Sequence, residues 1–275
     1  MIGMKYRHLA VGLVCSAVAL NLGSALASGH GHSHAKTTKA ERAAKAAEEA
    51  LTLTPDKENG KEIYKICTVC HTPEGWGTNS GYYPQIAGQH QKVIIKQLGD
   101  IGARNRDNPT MLPFSIPDSL GGAQGMADVA AYIADLPMTP SNGKGPGFDL
   151  DMGERLYKQE CAECHGDQGE GKPEDEIPLI QGQHYNYLMR QFNWIKNGKR
   201  RNADQKMVKQ VQRFTGRDIS AMMDYTSRLS PPKEKVAENG WRNPDFPKYS
   251  RHSMPRQMQD RPERPKRPER PGWAR

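Results

Sequence analysis

Cys67-Thr68-Val69-Cys70-His71 recurs 94 residues later as Cys161-Ala162-Glu163-Cys164-His165. Working outward, the same shift carries Pro84-Gln85-Ile86-Ala87-Gly88-Gln89-His90 onto Pro178-Leu179-Ile180-Gln181-Gly182-Gln183-His184, and Gln97-Leu98 onto Gln191-Phe192. Upstream, Gly60-Lys61-Glu62-Ile63-Tyr64 maps onto Gly153-Glu154-Arg155-Leu156-Tyr157 at a shift of 93. One near-constant shift across several landmarks marks a duplicated unit. Between the copies, residues 141–147 hold three glycines and one proline and read as a linker.

Each copy has the same coarse pattern. A short helix, 57–66 or 152–160, delivers the cysteine motif, and a loop with Gly and Pro follows. A middle helix is expected over 93–101 or 185–197. A Met-bearing loop then leads to a last helix over 127–135 or 218–228. In that helix Val129, Ile133 and Leu136 share a face, as do Ile219, Met222 and Tyr225-Thr226. No strand pattern stands out, so the fold class is all-α in two modules. The expected domains are 55–140 and 148–232.

The flanks differ from the modules. Lys5 and Arg7, an apolar run from Leu9 to Leu22 and the small residues Ala25-Leu26-Ala27 have the order of a secretory signal peptide over 1–27. Residues 28–54 read as a linker, first His-rich (Gly29-His30-Gly31-His32-Ser33-His34), then rich in Ala, Lys and Glu with little apolar face. Residues 233–275 read as a basic, Pro-rich disordered tail. That tail holds 12 Lys and Arg against six Asp and Glu, whereas residues 28–232 hold 25 of each. The formal charge of +8 therefore sits on the ends, and a broad nucleic-acid-binding face is not expected.

Cys-x-x-Cys-His is the attachment signature of a c-type haem. Two thiols two residues apart form thioethers to the two vinyl groups on one haem edge, and the adjacent His reaches the iron. Cys67, Cys70, Cys161 and Cys164 are the expected attachment points, and His71 and His165 the expected proximal iron ligands. Two covalent haem groups follow. A disulfide pair, a zinc site or a thioredoxin-like redox site would not require the His after each pair. A four-cysteine zinc site would also have to close a gap of 94 residues.

A proximal His needs its other ring nitrogen held. Pro84 lies 13 residues after His71 and Pro178 lies 13 after His165, so their carbonyls are the expected acceptors. The sixth ligand decides the role, because Met opposite His favours reduced iron. Module 1 offers Met111, Met126 and Met138; module 2 offers Met189, Met207, Met222 and Met223. Met111 and Met207 are selected because each precedes a last helix in a polar loop, whereas the others fall in or beside helices. His90 and His184, just before the middle helices, are the competing candidates.

These landmarks together resemble the cytochrome c4 family. The residues that carry the resemblance are both Cys-x-x-Cys-His motifs, Pro84 to Gln89, Arg104 to Met111 and Asp128 to Ile133, with Pro178 to Gln183, Arg201 to Met207 and Asp218 to Leu229 in the second copy. They span about residues 55–232. The resemblance implies two tandem class I cytochrome c domains related by a pseudo-two-fold, His/Met ligation of both haems, a periplasmic location and one-electron transfer between respiratory partners. It equally allows an electron-accepting subunit of a dehydrogenase or oxidase complex, as in flavocytochrome c sulfide dehydrogenase. With both irons six-coordinate no enzyme activity is expected; a haem enzyme would need one open iron.

Two charge features bear on partners. Residues 196–217 hold eight Lys and Arg around Met207 against Asp204 alone, which predicts a docking face for an acidic redox partner. The basic tail is expected to bind an acidic protein or an anionic membrane surface.

Overall fold

The computed structural model describes residues 37–248. The signal segment, the His-rich stretch through residue 36 and the tail from 249 lie outside the described residues. Among those described, eleven α-helices and three short 3-10 turns form the structure, with isolated bridges in place of any strand. No helix among them is long and apolar enough to cross a membrane.

Module 1 comprises α1 (Lys39–Ala50), α2 (Lys57–Tyr64), α3 (Thr68–His71), α4 (Gln91–Gly102), α5 (Pro117–Leu120) and α6 (Gly122–Asp135). Module 2 comprises α7 (Leu150–Glu160), α8 (Ala162–His165), α9 (Tyr185–Lys196), α10 (Gln205–Val211) and α11 (Gly216–Arg228). In each module the first long helix of the repeat crosses the last one at a glycine. A Cβ on Gly60 would run into the Asp128 backbone, and one on Gly153 into the Ala221 backbone. Close backbone approach explains why a glycine opens both upstream repeat segments. In module 1 the crossing is tied by the buried carboxylate of Asp128. Asp128 accepts from Asp56 N, Asn59 Nδ2 and Gln124 Nε2, each at 2.7 Å. Asp224 accepts from Gly147 N at 2.6 Å and Arg228 Nε at 2.9 Å. Tyr64, Ile95, Met126, Val129 and Ile133 form the core of module 1; Phe192, Ile195, Ile219 and Met222 form that of module 2.

Two flanking segments differ from their expected linker and tail character. Residues 39–50 are the helix α1, started by a Thr38/Glu41 capping box. It has few large apolar residues to bury, but Ala43, Ala46 and Ala50 share its inner face and are buried. Alanines suffice because the facing helix α4 is thinned by glycine. A Cβ on Gly102 would lie 2.9 Å from that of Ala43, and one on Gly99 would run into Ala47. Module 2 has no equivalent of α1 among the described residues.

Residues 233–248, expected as part of a disordered tail, instead pack as a strap from the end of module 2 back across module 1. Met138 N donates to Lys235 O at 2.8 Å and Ala237 N to Met138 O at 2.9 Å. Trp241 then lies 5.8 Å from Trp76, and Phe246 lies 5.9 Å from Tyr64. Between them, buried Asn243 donates from Nδ2 to Pro73 O at 2.7 Å and to the Tyr132 hydroxyl at 3.0 Å. Proline excludes a helix here, but two aromatic anchors and a satisfied amide hold an extended chain down.

Candidate haem sites and the module interface

Both cysteine motifs fold alike. His71 N donates to Cys67 O and His165 N to Cys161 O, each at 2.9 Å, closing the single helical turn that α3 and α8 provide. The turn brings both cysteines of each pair to the same short stretch as the histidine. A core tyrosine then fixes the exit from the turn: Tyr64 Oη donates to Thr72 O at 2.8 Å and Tyr157 Oη to Gly166 O at 2.7 Å.

His71 Nδ1 lies 2.9 Å from Pro84 O, and His165 Nδ1 lies 3.1 Å from Pro178 O. A carbonyl only accepts, so Nδ1 carries the proton in both rings and Nε2 is the nitrogen left to face a metal. Burial first, offset by that hydrogen bond, holds both imidazoles below the ordinary histidine value, favouring the neutral form that ligates iron. Burial also pushes the Cys67 and Cys161 thiols up to about 12.

The candidate methionines are placed differently in the two modules. Met111 opens the 3-10 turn Leu112–Phe114, with its carbonyl accepting from Ser115 Oγ at 2.9 Å. Met207 does not lie in a loop. It sits on α10, where Asp204 caps the helix by accepting from Lys206 N at 2.8 Å and Met207 N at 3.2 Å. The signal was readable as an Asp N-cap before Met-Val and Val211. Met207 packs on the same core cluster as Cys161. Met126, Met138 and Met222 are buried in the interior.

His90 and His184 are committed elsewhere. His90 Nε2 donates to Glu170 O and His184 Nε2 to Trp76 O, both at 2.7 Å. Glu170 is the 94-shifted counterpart of Trp76, so each histidine reaches the same loop of the opposite module. Glutamines repeat the pattern. Gln85 N donates to Gln183 Oε1 at 3.1 Å and Gln183 Nε2 to Gln85 O at 2.8 Å. Leu179 N donates to Gln89 Oε1 at 3.0 Å and Gln89 Nε2 to Leu179 O at 2.8 Å. Paired contacts of this kind are what a pseudo-two-fold between the modules produces.

Two arginines complete the interface, again 94 residues apart. Arg106, 6% exposed, bonds Gln97 Oε1, the Tyr187 hydroxyl at 3.1 Å and Gln191 Oε1 at 2.9 Å, with its Nε buried and unpartnered among the described residues. Arg200 reaches Gln191 Oε1 and Gln97 Oε1, both at 3.3 Å. Burial, then the charge of Arg106, lowers Arg200 to about 10. Burial alone would raise Tyr187, but Arg106 and Arg200 outweigh it and pull the phenol down. Two buried guanidinium groups held by neutral amides and a phenol make a site that favours an anion. Sequence reasoning passed over these two, although the common shift of 94 marks them.

Several of the other arginines and lysines of 196–217 make local contacts, while Lys206 and Lys209 stay exposed. Arg213 pairs with Glu160, Arg217 with Asp149 at 2.7 Å, Lys199 stacks 4.5 Å over Trp194, and Arg201 donates to Arg104 O at 2.6 Å. The two acids that pair with the run, Glu160 and Asp149, come from α7 and its N-cap, far away in sequence, and leave it net positive.

This chain resembles known proteins along nearly the whole described region. A cytochrome c family model matches residues 57–137, and one for cytochrome c oxidase, cbb3-type, subunit III matches 148–226. The chain is 31% identical to cytochrome c4 of Thiocapsa roseopersicina over 60% of its own length and 88% of that relative. The chain belongs to the cytochrome c4 family. Cytochrome c4 of Azotobacter vinelandii is 27% identical, over 63% of this chain and 89% of its own. A thiosulfate dehydrogenase electron acceptor of Stutzerimonas stutzeri is 26% identical, over 65% and 90%. The solved structure of reduced recombinant cytochrome c4 from Pseudomonas stutzeri matches with a TM-score of 0.57 at 27% identity, covering 64% of this chain and all of that one. As a cytochrome c4, the chain is a di-haem electron-transfer protein with two covalently bound haem c groups. The residues fit that group. Two thiols and an Nδ1-anchored imidazole stand in each module, and the paired guanidinium groups suit a cofactor that carries carboxylates.

Proposed function

We propose that this cytochrome is a periplasmic one-electron carrier whose mature chain begins after Ala27. Haem 1 would be attached to Cys67 and Cys70 with His71 and Met111 as axial ligands, and haem 2 to Cys161 and Cys164 with His165 and Met207. The observation that carries this reading is the matched pair of bonds from His71 Nδ1 to Pro84 O and from His165 Nδ1 to Pro178 O. Each fixes a ring in the tautomer and orientation an iron ligand needs and raises its basicity. The haem supplies an iron that changes oxidation state by one electron.

With His71 and Met111, and His165 and Met207, holding the two irons, no position would be left for a substrate, so the reading is a carrier, not an enzyme. His90 and His184, bonded across the interface, are not sixth ligands in this reading. Donors and acceptors are redox proteins. The relatives that serve as thiosulfate dehydrogenase electron acceptors favour a dehydrogenase as donor and support the related role of an electron-accepting subunit.

Met111→Ala and Met207→Ala test the ligand assignment. Each variant is expected to remove roughly half of the far-red sulfur-to-iron absorption of the oxidised protein and to let one haem bind cyanide readily. An undiminished band in either variant assigns that iron a different ligand.

A further inference from the structure

The peptide that accepts the proximal histidine's proton also donates to the opposite module. In the Pro84–Gln85 unit, the carbonyl of Pro84 accepts from His71 Nδ1 at 2.9 Å, and the N–H of Gln85 donates to Gln183 Oε1 at 3.1 Å. In the Pro178–Leu179 unit, the carbonyl accepts from His165 Nδ1 at 3.1 Å, and the Leu179 N–H donates to Gln89 Oε1 at 3.0 Å. The two glutamines are counterparts, Gln183 in module 2 and Gln89 in module 1. Gln183 is buried, and its backbone neighbour His184 donates from N to the same Oε1 at 3.0 Å. His90 N donates likewise to Gln89 Oε1 at 3.0 Å. The amide oxygens are thereby held in place.

We propose that Gln183 sets the electron affinity of haem 1 and Gln89 that of haem 2, each acting across the module boundary as a positioning residue. A peptide group is polarised along its length. An acceptor on its N–H puts more negative charge on its carbonyl oxygen, and bonds in such chains strengthen one another. A more basic carbonyl draws the Nδ1 proton further from the imidazole. The ring becomes a stronger donor to iron and favours the ferric state. Docking of either module thus lowers the potential of the haem in the other. A side chain that belongs to one module's interface residues is part of the other module's iron environment.

The inference rests on His71 and His165 being the proximal ligands. The test is a redox titration of the full-length holoprotein followed by paramagnetic proton NMR. Each haem's hyperfine-shifted signals are assigned through contacts to Cys67 and Cys70 or to Cys161 and Cys164. Gln183→Leu is expected to raise the midpoint of haem 1 and leave haem 2 in place; Gln89→Leu is expected to do the reverse. Gln183→Glu, which keeps the acceptor oxygen in nearly the same shape, is expected not to raise haem 1. The proposal is overturned if Leu moves the haem of its own module, moves both equally, or if Leu and Glu at 183 raise haem 1 alike. If Gln183→Leu yields no holoprotein, a raised haem 1 in Gln183→Glu is enough to overturn it, and Gln89→Leu supplies the positive arm. Failure of the ligand assignment is recognised separately, since the wild-type spectrum would then lack shifted imidazole signals from His71 or His165.

Discussion

Module 1 and module 2 share the prolines that hold the motif histidines and the Gln, His and Arg pairs that cross the interface, and differ beside the cysteines and under the strap. Trp76 and Glu170 share one backbone role, each offering its carbonyl to a histidine across the interface. Their side chains have nothing in common: Trp76 stacks on the strap, whereas Glu170 closes its own loop by accepting from Gln168 N at 2.9 Å. The same split holds beside the cysteines. Ile66 and Val69 flank the module 1 pair and are 48% and 65% exposed, while the matching positions in module 2 are Glu160 and Glu163. Duplication preserved the contacts that orient the motif histidines and join the two modules. Beside the cysteines it left module 1 apolar and module 2 acidic, and among the described residues the strap packs on module 1.

Deleting residues 233–275 should give the largest effect on that contrast. Trp241, Asn243 and Phe246 all anchor on module 1, so it should lose about 4 kcal/mol. Module 2 should lose much less. Chemical denaturation followed at each haem's NMR signals measures this, and an equal loss in both modules would show that the strap supports the interface instead. Trp241→Ala alone should cost module 1 about 2 kcal/mol, below the roughly 3–5 kcal/mol of a fully buried aromatic because the ring is only partly buried.

The two interface histidines offer a subtler comparison. His184 is fully buried and uses both nitrogens, donating to Trp76 O and accepting from Gly143 N at 2.9 Å. His90 is half-exposed and contributes one bond. His184→Ala should therefore cost about 2–3 kcal/mol by leaving two buried backbone groups unpaired, and His90→Ala under about 1 kcal/mol. Equal losses in thermal melts would mean that the interface is symmetric in energy as well as in form.

A smaller effect follows from protonation. Burial, as the leading cause, holds both histidines below their ordinary value in the folded chain, and Lys235 pushes His90 the same way. The unfolded chain then binds protons first as pH falls. Stability from these groups is complete above about pH 6.5 and declines below it toward the folded values. Melting temperature should drop between pH 7 and pH 5, and the drop should be shallower in His184→Ala. An unchanged slope in that variant would remove His184 as a source.

Much of the candidate site was legible from spacing, because the chemistry is local. A thioether pair and its histidine must share one helical turn, and a carbonyl that reaches Nδ1 must sit a fixed loop length away. Hence Cys67, Cys70, His71 and Pro84 came from sequence with their counterparts, and the helices came from periodicity. The contacts among segments distant in sequence did not. The alanine face of α1 becomes a binding surface only against Gly99 and Gly102 of α4. That Arg213 and Arg217 of the basic run around Met207 pair with Glu160 and Asp149 is not visible until the fold brings those acids to them. Trp241 and Phe246 read as part of a polar tail until Trp76 and Tyr64 face them.

By itself, then, the sequence determined two duplicated all-α modules with two cysteine-histidine motifs, because covalent attachment and helix periodicity act over a few residues. The tertiary structure decided which surfaces are closed, which charges find partners, and that each module's glutamine bonds the peptide holding the other's histidine. Those outcomes depend on burial and on partners roughly 50 to 170 residues apart, where pairing free energy exists only after the chain has folded.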